Sequence, residues 1–268
     1  MVKENGFQKS REKELPTPEI HANNEVEISE RRYKKIGETF AMIIKENSNL
    51  SVPEKTIQEW KVLSFSTRII DNKLDSIVDP AERLKFTQEI INFLKGKEVD
   101  FSNEENINKA MLGVKNLIVN SKENQGESFI NSLSNILKIT EKIKTEKNPR
   151  TMVKLTRLEG QIAARLYLSF LPQEFRLSEK YRQLVHAFTR LGRAANSLDS
   201  FIDLPGDYHN KEVQVPPTIL NRTLFLGAVL SDGLSIIKDI GLSKDLAKRF
   251  LLAIKHVVRD SPKNSKVL

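Results

Sequence analysis

The chain of 268 residues contains no cysteine. That excludes disulfides, thiolate metal sites and cysteine nucleophiles together, and it is compatible with a reducing cytoplasm. Glycine (11) and proline (10) are both scarce, and the prolines fall mostly between periodic stretches, as expected where helices are joined by short turns. No run reaches the roughly 18 uninterrupted apolar residues that a membrane span needs, and no N-terminal apolar stretch resembles a signal peptide. A soluble or peripheral, cytoplasmic protein is therefore expected. Aromatics make up 7% of the residues and no basic-aromatic stripe accompanies the net charge of +8, so no nucleic-acid partner is expected. The four histidines, His21, His186, His209 and His256, lack metal-ligand spacing. No glycine-rich phosphate loop, nucleophile elbow or separate nicotinamide-binding domain is visible.

What remains is helical periodicity. The hydrophobic content of 39% suffices for one domain whose core is wide enough to contain a pocket. Residues 1–25 are polar, mixed in charge and broken by Pro16 and Pro18, which reads as a disordered tail. From residue 26 to 268 a single all-α domain is expected, with helices near 27–47, 54–78, 80–96, 103–121, 126–147, 150–171, 176–203, 217–240 and 243–259. Lysines alternate with glutamates, as in Glu141-Lys142-Ile143-Lys144, and such stretches read as solvated helix surface.

Two acidic motifs stand out. At about 100° per residue, Arg68, Asp71 and Asp75 share one narrow sector of their helix, while Leu63, Phe65, Ile69, Ile70, Leu74 and Ile77 cover most of the rest. A helix so apolar is expected to be buried, its carboxylates facing an internal cavity. Farther on, Gly192, Asn196, Asp199 and Asp203 project from one side of a second helix. Pro205 lacks the amide for an intrahelical bond and disfavours helix at Leu204, which places Asp207 beyond the helix end. Either motif alone is as consistent with a solvated face as with a ligand set, because the spacing is common. Two on buried-looking helices shift the balance, since like charges at i and i+4 are costly unless a cation joins them. Magnesium suits such hard oxygens and is commonly shared between carboxylates and a substrate phosphate.

With these residues in place, the sequence resembles the squalene/phytoene synthase family. Arg68, Asp71 and Asp75 match that family's first motif. Leu191-Gly192, Asn196, Asp199, Asp203 and Asp207 resemble its second, and Val213-Gln214-Val215-Pro216 is similar to the segment that leads into its next helix. Leu158 to Tyr167 sits where the family carries a small-residue helix lining the prenyl channel. Asn196 stands where glutamine is usual, Asp199 where asparagine is usual, and no tyrosine follows Tyr208. The resemblance implies a single-domain isoprenoid-synthase helical bundle around a central cavity, with Mg2+ as cofactor. Asp71, Asp75, Asp199 and Asp203 would be catalytic metal ligands, Asp207 a further ligand, and Arg68 and Asn196 diphosphate contacts. The implied reaction joins two prenyl diphosphates, farnesyl or geranylgeranyl, head to head through a cyclopropyl intermediate. An apolar substrate also implies transient contact with a membrane surface. A terpene cyclase on the same fold, or a non-catalytic helical protein that kept the architecture, are the alternatives.

Overall fold

A computed structural model describes residues 37–240, apart from 39, 46–48 and 121–122. The expected tail over 1–25 and the expected helix over 243–259 lie outside the described residues. Among those described, all regular structure is helical. After a helical segment over residues 40–45 come α1 (Glu54–Ser76), α2 (Pro80–Leu94), α3 (Glu105–Val119), α4 (Glu123–Thr145), α5 (Pro149–Leu168), the short α6 (Gln173–Leu177), α7 (Tyr181–His209) and α8 (Ile219–Ile240).

Local chemistry sets several of these ends. Asp79 and Asn148 each precede a proline at the first helical position and accept from the amides of the first turn, Asp79 from Ala81 and Asn148 from Arg150 and Thr151. Such caps satisfy donors that the helix itself leaves unpaired. At the end of α2, Gly96 adopts φ +80°, and the amides of Gly96 and Lys97 return to the carbonyls of Phe93 and Asn92. That closing pattern needs a left-handed residue, which glycine supplies without steric cost.

The second acidic helix runs past the expected stop at residue 203. α7 continues through Pro205 to His209, so Asp207 is helical. A proline at 205 deprives the Phe201 carbonyl of its intrahelical donor. Arg222 of α8 replaces that donor: its Nε lies 3.3 Å from the Phe201 oxygen, and its guanidinium sits 4.5 Å from the Phe201 ring centroid. The helix then closes with Lys211 at φ 62°, the amides of Lys211 and Glu212 bonding back to Tyr208 and Asp207.

Packing between helices falls into three apolar clusters. One joins α1 to α4 around Leu63, Leu74, Ile90, Met111 and Val114. A second gathers Trp60, Leu168, Phe175, Leu184 and Phe188, with the Trp60 indole donating to the Tyr167 carbonyl at 2.8 Å. The third binds α5, α7 and α8 through Met152, Leu204, Val215 and Phe225. Each such side chain contributes about 1.5–3 kcal/mol when fully withdrawn from water.

α5 and α7 touch backbone to backbone. A Cβ added at Gly160 would lie 2.2 Å from the Gly192 carbonyl oxygen, and one at Gly192 would lie 2.2 Å from that of Gly160. No side chain fits at either position, so these glycines allow the close crossing that sets Glu159 beside Asn196. On the far side of α7, the buried Asp232 of α8 accepts both Nε and Nη2 of Arg157 at 2.9 Å, and Arg193 approaches it at 3.5 Å. By length and composition α8 could cross a membrane over Ile219–Ile236. Here it packs into the bundle through Arg222 and Asp232.

Candidate functional site

Seven residues nominated by the sequence, Arg68, Asp71, Asp75, Asn196, Asp199, Asp203 and Asp207, line one cavity of about 410 Å³. Successive turns of α1 supply the first three, and successive turns of α7 the other four. Two stripes at helical spacing thus stand across a shared space. Leu63, Leu133, Ile136, Leu137 and Leu166 form apolar lining. Asp71 and Asp75 are half-buried and face the cavity as expected, but the cavity is not sealed: Arg68, Asp199 and Asp203 also reach solvent. The reason is that the α1 and α7 stripes form the cavity's own walls rather than burying into another helix.

The two walls interact electrically. Burial pushes the Asp71 carboxyl up to about 6, the Asp75 and Asp199 charges adding to the rise while Arg68 and Lys144 oppose it. Its side chain keeps 43% of its surface accessible, but that surface lines the cavity, where apolar walls and like charges replace bulk water. Asp207 rises to about 7 through burial and the neighbouring charges of Glu212, Asp203 and, across the cavity, Asp75. The Arg68 guanidinium sits 3.4 Å from Asp71, one turn away on α1.

Three further residues, Glu159, Thr140 and Lys144, add to the polar lining. Glu159 of α5 is raised to about 7, chiefly by burial, with Asp71 and Asp199 adding to the shift. The Thr140 hydroxyl donates to Glu159 Oε1, and the Asn196 amide donates to Oε2 at 3.1 Å. Asn196, expected on the diphosphate, is therefore engaged by Glu159 in this arrangement. The third residue, Lys144 of α4, places Nζ 2.5 Å from Asp75 Oδ1. Lys144 is buried, and Glu141 meets Arg83 Nε with both carboxylate oxygens at 3.0 Å. The segment expected as solvated surface thus has two of its charges in the interior. Partners from α1 and α2, far away in sequence, made burial of those charges tolerable.

A signal for these residues exists in the sequence. Leu133, Leu137, Thr140 and Lys144 follow one another at helical spacing, as do Met152, Thr156, Glu159 and Ala163. In each case a charged residue interrupts an otherwise buried stripe, which marks it as facing a polar interior.

The donor set suits a hard divalent cation. Among the described residues, Asp71, Asp75, Glu159, Asp199, Asp203, Asp207 and Glu212 line the cavity, against Arg68 and Lys144 as cations. Charge of one sign is in excess there, and three of the carboxyls are held toward their neutral form. Among the described residues no three acidic or histidine side chains converge closely enough to enclose a metal alone. Magnesium requires no such cage, because it keeps waters and shares one or two carboxylates with substrate phosphates.

No family model, curated protein or solved structure matches the chain.

Proposed function

We propose that this chain is a magnesium-dependent prenyltransferase that condenses two prenyl diphosphates head to head, as its resemblance to squalene and phytoene synthases implies. The observation that supports this reading is the meeting of the α1 and α7 aspartate stripes in one cavity whose remaining lining is largely apolar. A diphosphate needs the charged part, and a hydrocarbon chain needs the other.

In this reading Asp71 and Asp75 on one wall, and Asp199, Asp203 and Asp207 on the other, hold Mg2+. When bound, Mg2+ polarises the diphosphate and stabilises charge on the leaving group. Arg68, at the rim beside Asp71, binds diphosphate oxygen. Asn196, which donates to Glu159 in the free protein, is the second diphosphate contact, as the resemblance implies. Leu63, Leu133, Leu137 and Leu166 hold the prenyl chain and exclude water from the allylic cation. The product class follows from combining two such chains. The substrate's apolar tail favours uptake at a membrane surface, so the protein is read as cytoplasmic with peripheral membrane contact.

One observation favours a second reading. Lys144 already neutralises Asp75, and Asn196 with Thr140 already satisfies Glu159, so part of the constellation is stable without metal. A non-catalytic helical protein would keep such a cavity. Incubation with Mg2+ and farnesyl or geranylgeranyl diphosphate, followed by mass spectrometry of the extract, separates the possibilities. A linear hydrocarbon of doubled length, or its cyclopropyl diphosphate precursor, is expected. Cyclised products of unchanged carbon number would indicate a terpene cyclase, and inertness across several chain lengths the non-catalytic protein.

A further inference from the structure

Among the described residues Lys144 is the interior cation of the cavity, and its placement is unusual for a lysine. It retains 7% exposure, and its ammonium rests on Asp75 Oδ1. Its charge also acts on Asp71, Glu159 and Asp207, lowering the cost of ionising each. Arg68, a second lining cation, is exposed and bound to its own helical neighbour Asp71. The two cations therefore differ in depth and in the carboxylate they hold.

Asp75 is one of the carboxylates read above as holding Mg2+, and the inference rests on that reading. An ammonium resting on Asp75 Oδ1 repels a divalent cation brought to the same carboxylate, and its withdrawal relieves that repulsion. Lysine can withdraw without leaving the cavity, because its charge sits on a flexible four-carbon stem with three rotatable donors. The same point charge is a common binder of phosphate. We propose that Lys144 is a built-in counter-cation: it holds Asp75 in the substrate-free protein and passes to a diphosphate oxygen when a divalent cation takes the aspartate. Proton positions do not change in this exchange. The ammonium leaves one anion for another, and the divalent cation replaces it on the first.

The exchange sets two effects of opposite sign. Lys144 competes with the metal for Asp75, so it weakens binding of Mg2+ alone. It attracts the diphosphate, so it strengthens binding of that anion once the metal is present. Calorimetric titration of the full chain with Mg2+ alone, and with inorganic diphosphate at saturating Mg2+, reads both. Lys144→Met keeps the apolar stem and removes the charge. It should bind Mg2+ alone about tenfold more tightly and diphosphate about tenfold more weakly, each a shift near 1.4 kcal/mol. Lys144→Arg, which keeps the charge, should remain near the unsubstituted protein in both titrations. General damage to the fold would weaken both ligands together, so a parallel loss, or no change in either, overturns the proposal.

Should Lys144→Met not fold, nitrogen NMR of the lysine ammonium in the unsubstituted chain supplies the second measurement, with the Lys144 signal identified by its absence from Lys144→Arg. That signal should move once on addition of Mg2+ and again on addition of diphosphate. A signal indifferent to both, in a protein that binds both, overturns the role of Lys144 alone. Protein that takes up neither Mg2+ nor diphosphate overturns the site reading, and this inference with it.

Discussion

Asp199 adds a carboxylate midway along the α7 wall, within electrostatic reach of both Asp71 and Glu159. In the proposed enzyme it strengthens metal binding on that wall. Asp199→Asn should retain turnover while requiring more magnesium, and activity measured across a magnesium series checks it. An unchanged magnesium dependence would remove Asp199 from the ligand set. Asp71 and Asp203 lie on opposite walls, so neither wall can replace the other. Asp71→Ala and Asp203→Ala should each lower turnover by about a hundredfold or more, because a methyl group cannot stabilise the leaving group's charge through a metal. Folding of both variants is verified by their thermal transitions.

At the level of the element, α7 shows how one helix overcomes its own proline. Six helical residues beyond the expected stop carry Asp207 and lead Glu212 back to the cavity, and Arg222 of the following helix supplies a donor to the carbonyl that the proline leaves unpaired. Arg222→Ala leaves the Phe201 carbonyl without that donor and removes the stacked guanidinium. It should cost roughly 1–2 kcal/mol of stability, read from denaturant unfolding. In a Pro205→Ala background the helix regains its own amide donor to Phe201. The same Arg222→Ala change should then cost less, and a double-mutant cycle gives the difference. Equal costs in both backgrounds would show that Arg222 does not substitute for the missing amide.

For the molecule as a whole, the crowded carboxylates link folding to pH. Asp71 and Asp207, ordinarily near 3.8, and Glu159, ordinarily near 4.5, titrate at about 6, 7 and 7 in the folded chain. Between about pH 4 and 7 the folded state therefore holds protons that the unfolded state has released. Stability from these groups is complete below the lower values and is lost as pH rises through the upper ones. In the proposed enzyme magnesium would compete with those protons. Its stabilising effect on the thermal midpoint should be small at pH 5 and grow toward pH 7.5, measured as the difference with and without millimolar Mg2+. A magnesium effect independent of pH would show that these carboxyls do not take part in binding it.

The helical class was legible because a 3.6-residue period is written directly into the order of side chains, and the same period showed that Arg68, Asp71 and Asp75 share a face, as do Asn196, Asp199 and Asp203. The helix starts near residues 80 and 150 were legible for the same local reason: Asp79-Pro80 and Asn148-Pro149 carry the signal within a few residues. Depth and partnership were not local. Lys144 looked like surface because its sequence neighbours are charged, and only α1, 69 residues away from it, supplies the carboxylate that allows it inside. Pro205 signalled a helix end because the rule concerns one helix alone, whereas the replacement donor comes from Arg222, 21 residues farther on. Which faces meet was decided by packing: the Gly160–Gly192 contact brings two backbones together, and that crossing draws Glu159 to Asn196 beside the aspartates. Periodicity orients a side chain about its own axis, but only the closeness of helices determines what it faces.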